Sequence, residues 1–134
     1  MKTSAFKPGD QLKTTFVVEP KDWPSFSGEI VHEVCSTYAL AREAEWACRQ
    51  FVLKMREEHE EGIGHGLSIH HKSPALTGQI VEMQATLLAV DGVKVDCTWE
   101  AKVGDRLVAY GTCAQTVWHR EKIAEHWEIY VTNP

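Results

Sequence analysis

Three residues of types that attack carbonyls or move protons stand at suggestive places in this chain: Thr37, Glu45 and His71. Glu45 leads, because small and apolar residues at Ala41, Ala44, Cys48, Phe51, Val52 and Met55 recur at a helical period and Glu45 falls one turn from Ala41 and near Cys48. The pattern predicts a carboxylate facing the core. An unpaired acid there costs several kcal/mol or has its pKa forced up, so it needs either a structural partner or a task. His71 carries the one side chain whose ordinary pKa, about 6.5, suits proton transfer near neutral pH. Thr37 offers a hydroxyl and Gly64 an amide unshielded by a side chain. Each has a plainer reading: a threonine ahead of a helix is usually a cap, and His71 beside His70 reads as a strand pair with one ring in and one out. Along a straight helix Thr37 and Glu45 would lie ~12 Å apart at 1.5 Å rise per residue, too far to touch through that helix alone.

The elements that must hold these residues are legible in outline. Ser36 or Thr37 caps a helix predicted over Tyr38–Glu58, whose last acids, Glu57-Glu58-His59-Glu60-Glu61, read as a solvated, frayed end. Leu12 to Val18 alternates as a first strand, and Glu19 to Gly28, broken by prolines and glycine, reads as a loop with Trp23 and Phe26 exposed, a candidate lid. Gly62, Gly64 and Gly66 open a strand running through Leu67, Ile69 and His71. Asp91-Gly92 marks a hairpin between Gln79–Val90 and Val93–Val103, Gly104-Asp105 turns the chain into Arg106–Trp118, and Gly111 suggests a bulge. From Glu121 to Val131 the pattern fits a short helix and an edge strand equally.

Composition narrows the class. At 134 residues and 43% hydrophobic content the chain suits one domain, 1–134, with its own core. A net charge of -5 leaves no basic footprint for nucleic acid. No apolar run approaches a membrane span and the first residues lack a secretion signal's apolar core, so a cytoplasmic protein is expected. Cys35, Cys48, Cys97 and Cys113 form no metal or redox spacing and read as packing residues, as Trp46, Trp99 and Trp118 do. His59, His65, His70 and His71 invite a metal reading, but neighbours on a strand point to opposite faces and no carboxylate completes a familiar spacing; no metal and no cofactor is expected.

One strand, a long helix and four strands joined by tight turns make an α+β order, one candidate for which is the hotdog fold. Cys35-Ser36-Thr37 through Glu45-Trp46-Ala47-Cys48, followed by Gly64-His65-Gly66-Leu67-Ser68-Ile69-His70-His71 and Leu76-Thr77-Gly78, resembles the fluoroacetyl-coenzyme A thioesterase family of hotdog proteins. The resemblance implies an antiparallel sheet of about five strands around one central helix, catalytic roles for Thr37, Glu45 and His71, a substrate contact at Gly64, and a homodimer paired through its sheets with the site between subunits. It implies an acyl-coenzyme A thioesterase, the alternative being a non-catalytic domain that binds acyl thioesters. Thioester hydrolysis calls for such residues: a nucleophile or activated water, a proton carrier and amide donors for the oxyanion. Two positions depart from the family pattern: Val31 stands where a phenylalanine lid is expected, and Gln115 where an arginine contacts substrate.

Overall fold

Ser36 starts the long helix: its hydroxyl accepts the Ala39 amide hydrogen at 3.0 Å, satisfying one of the donors that a helix start leaves open. In the computed structural model, which describes residues 1–134, this helix, α1, spans Thr37–Met55. It stops short of the expected Glu58, because Arg56 turns extended and the acids that follow are caught rather than solvated. The Glu60 carboxylate, buried, takes the Met1 ammonium at 2.8 Å, and Glu61 is gripped by Arg49, Arg56 and Arg120. Met1 and Arg120 come from distant parts of the chain, and with the nearby Arg49 and Arg56 they hold these acids as the first residues of a strand.

The strands are β1 (Gln11–Val17), a two-residue pair β2 (Ser25–Phe26) and β3 (Glu29–Ile30), β4 (Glu60–Leu67), β5 (His70–His71), β6 (Ile80–Asp91), β7 (Lys94–Val103) and β8 (Arg106–His119). The main sheet is antiparallel in the order β1-β6-β7-β8-β4, with β5 also paired to β8. Its inner face presents Val81, Met83, Ala85 and Leu87 from β6 and Val95, Cys97, Trp99 and Ala101 from β7, all buried, as their period-two pattern requires. Against them α1 lays Leu40, Ala44, Ala47, Cys48, Phe51 and Met55, giving the hotdog arrangement of a sheet curled around one helix. No helix is long and apolar enough to cross a membrane. All four cysteines are free and buried.

Both predicted hairpins form. The first turns at Gly92-Val93, one residue beyond the expected Asp91-Gly92, and the second at Gly104-Asp105; in each the glycine leads with φ near +60°, the two-residue geometry that matches strand twist. Gly111 is not a bulge. It pairs in regular register with Trp99, while the β7–β8 irregularity falls at Ala101/Lys102. Its task is close approach: a Cβ there would lie 1.9 Å from the Ser68 carbonyl oxygen, where the chain steps from β4 to β5 across β8. The ambiguous tail is a helix, α2, Arg120–Thr132. Strand β7 lies in the middle of the sheet; the free edges are β1 and β4.

Candidate active site

Thr37 and His71, 34 residues apart in sequence, meet: Thr37 Oγ1 lies 3.0 Å from His71 Nδ1. Thr37 is the first residue of α1, and β5, paired to β8 through His71 and Ala109, carries the imidazole to it. The loop before the helix is fixed by main-chain bonds, Cys35 N–H to Ala75 O at 2.9 Å and Ser36 N–H to Asp22 O at 2.7 Å. Asp22 is itself buried and paired with Arg42 at 2.8 Å. The Thr37 hydroxyl donates to the ring in one histidine tautomer and accepts from it in the other. Either way the second ring nitrogen, Nε2, is buried and has no partner.

A cavity of about 340 Å³ holds this pair, walled by Phe26, Val31 and Tyr38. The candidate lid, Glu19–Gly28, contributes β2 to this wall: Phe26 packs edge-to-face on Tyr38 at 5.9 Å, and the Tyr38 hydroxyl donates to Trp23 O at 2.9 Å. Phe26 is exposed as expected, but Trp23 is half-buried, its indole N–H donating to Thr77 Oγ1 at 2.9 Å.

Glu45 does not face the core; it is exposed. The buried stripe of α1 centres on Ala44, Cys48, Phe51 and Met55, and Glu45 sits about 100° around the helix from Ala44. Val52 lies at a similar azimuth yet is buried, because β4 crosses there: a Cβ on Gly62 would meet Val52 Cγ1 at 2.7 Å. Further along, β4 offers Gly64 and Gly66, which carry no side chains to cover Glu45. What remains is a groove of about 630 Å³ between helix and strand, with Glu45, Trp46, Gly64, Cys113 and Gln115 in its walls. Trp46, read as packing, is half-exposed here, whereas Trp99 is core. Gln115 is buried, and its Nε2 has no partner.

The fold therefore brings the four candidates together in two pairs, Thr37 with His71 and Glu45 with Gly64, in cavities that share no wall residue. Arg42 and Arg49 flank Glu45 in the groove and are not among the residues singled out from the sequence. The signal was present: Arg42, Glu45, Trp46 and Arg49 are spaced i, i+3, i+4, i+7, a non-core stripe parallel to the apolar one.

The match to the model of the fluoroacetyl-CoA-specific thioesterase family, FlK, covers residues 18–121. The chain belongs to the FlK family. Among solved structures, a Thermus thermophilus thioesterase superfamily member is 27% identical, with a TM-score of 0.90 over 95% of this chain and 94% of that one. A mutant of the thioesterase FlK in complex with fluoroacetate and CoA is 25% identical, with a TM-score of 0.81 over 88% of this chain and 99% of that one. A hot-dog-like protein from Thermanaerovibrio acidaminovorans, 21% identical with a TM-score of 0.84 over 96% of each chain, shares the fold. A search of curated proteins returns no match. FlK family membership supports acyl-CoA thioesterase activity in general terms, and the hotdog fold that the resemblance implies agrees with these neighbours.

Proposed function

We propose that this FlK-family chain hydrolyses a small acyl-CoA thioester and that Thr37, His71, Glu45 and Gly64 carry the reaction. The observation that supports this best is the Thr37–His71 hydrogen bond, formed at 3.0 Å with the second imidazole nitrogen, Nε2, buried and unpartnered. A buried polar atom without a partner is costly and is retained where something is to be bound or protonated. Glu45 either attacks the thioester carbonyl or takes a proton from the water that does. The Gly64 amide donates to the oxyanion, and the departing thiolate leaves as CoA thiol with a proton relayed by His71. Water is consumed, and a carboxylic acid and free CoA are released.

Because one protomer keeps the two pairs in separate cavities, we infer a homodimer that sets the Glu45 groove of one copy against the Thr37–His71 pocket of the other. The free edge of β4, beside the groove, is the natural seam. Glu45→Ala and His71→Ala are each expected to lower kcat by ~10²-fold or more with the fold intact, as loss of a general base or nucleophile should. Mixing the two inactive variants under subunit exchange should restore roughly a quarter of the activity, since half the heterodimer's sites are then wild type. Full activity in Glu45→Ala sinks the role of Glu45, and a stable, active monomer sinks the shared site. Tight binding of acyl-CoA without CoA release identifies a binding domain instead.

A further inference from the structure

At the other end of β4 the fold assembles a second cluster of chemistry-bearing side chains, apart from the groove. His59 precedes the strand, Glu60 is its first residue, and His119, the last residue of β8, is Glu60's register partner. The two imidazoles meet edge-to-face, with centroids 4.7 Å apart. A ring nitrogen from each and a Glu60 carboxylate oxygen all lie within 4.8 Å of one another. Both rings are exposed while Glu60 is buried, and the cluster opens on a cavity of about 360 Å³ walled by His59, His119, Arg120 and Glu121. The ring that joins His59 is not His65, His70 or His71 but His119, from the far end of β8, which no spacing around His59 contains.

We propose that His59, His119 and Glu60 bind a divalent transition-metal cation of the zinc type, with Glu121 or water completing the coordination. Two neutral imidazoles and one carboxylate are a donor set that borderline cations take readily and that magnesium and calcium do not prefer. Tetrahedral zinc holds its N and O ligands at ~2.0–2.2 Å, so the donors must draw together by ~1 Å or more. Exposed imidazoles can do this by side-chain rotation while Glu60 stays fixed.

The charges already present leave room. Glu60 Oε1 accepts from the Met1 ammonium at 2.8 Å and the Glu57 amide at 2.9 Å, but Oε2 has only the ammonium, at 3.1 Å, and keeps a lone pair. The nearest guanidinium, Arg120, is drawn away, its Nε to Glu58 O at 3.2 Å and its Nη2 to Glu61 at 3.2 Å. A bound ion would fasten the start of β4 to the junction of β8 and α2, so the role assigned is structural and independent of the thioesterase reading.

Calorimetric titration of the full chain with zinc chloride tests this, with His59→Ala and His119→Ala as variants and His126→Ala as control. The expected result is one equivalent bound by the wild type and the control, a zinc-dependent rise in melting temperature in both, and binding weakened at least ~10-fold in each of the two variants. Far-UV circular dichroism checks that the variants fold, and His59, outside the strands, is the replacement least able to disturb them. Substitution by cobalt should give the absorption of a tetrahedral site. No binding by the wild type, binding undiminished in either variant, or equal loss in the control overturns the proposal.

Discussion

Replacing Glu61 with glutamine removes the anion around which three guanidiniums close: Arg49 of α1 at 2.8 Å, Arg56 just past the end of α1, and Arg120 of α2 at 3.2 Å. Burial alone would raise this carboxyl, but the Gly62 amide and the guanidiniums of Arg49 and Arg56 outweigh it and hold it at about 2 instead of 4.5. At ~1.4 kcal/mol per tenfold, that depression is worth ~3 kcal/mol at neutral pH, and screening of a cluster whose arginines reach solvent reduces it to roughly half. A group depressed in the folded state contributes fully above its unfolded pKa and loses that contribution as pH falls toward its folded one. Glu61→Gln should therefore destabilise the protein by ~1.5 kcal/mol at pH 7, and the gap between variant and wild type should close to less than half of that by about pH 3. Urea unfolding of both proteins at pH 7, 5 and 3 reads it directly. A difference below ~0.5 kcal/mol at pH 7, the range of ordinary surface substitutions, would refute the reasoning. So would a gap that stays constant into acid, which would make the loss one of packing and not of charge.

Gly111→Ala must push the Ser68 carbonyl off its seat 1.9 Å away and shift β5 with His71; a loss of ~1–3 kcal/mol in urea, together with a fall in kcat, is expected. Ser36→Ala removes the α1 cap and should cost ~1 kcal/mol in thermal or urea unfolding, leaving KM for an acyl-CoA unchanged. Substrate choice should be broad: Val31 closes less of the Thr37–His71 pocket than an aromatic would, and the neutral Gln115 amide lacks an arginine's charge. The ratios of kcat/KM for fluoroacetyl-, acetyl- and butyryl-CoA should accordingly differ modestly, and a fluoroacetyl preference above ~10³ would place selectivity elsewhere.

Local signals carried well from sequence to structure. The cap at Ser36, the period-two faces of β6 and β7 and both glycine turns were readable because each depends on neighbours a few residues away. Glu45 was harder because it lies at the margin of the apolar face: Ala41 and Val52 share its side of α1, while the polar stripe of Arg42, Trp46 and Arg49 also runs through it, and which of the two patterns wins depends on what β4 places opposite. The acids after Met55 needed the Met1 amine and Arg120 to be understood, and no window around them contains either. The tail stayed ambiguous because Trp127, Ile129, Tyr130 and Val131 are all exposed, so no buried face sets a period. Central placement of β7 is a fact of strand order, which an alternating pattern does not encode.

The glycine run along β4 changes how this groove can be interrogated. At Gly62, Gly64 and Gly66 the groove meets main-chain amide and carbonyl groups that no side-chain truncation can delete, so trimming His65, Leu67 and the helix residues opposite leaves those groups in place. Only the opposite experiment reaches them, that of adding atoms. Nothing lies within 4 Å of where a Cβ on Gly64 would stand, so a larger residue there would fit the fold and occupy the space a ligand needs.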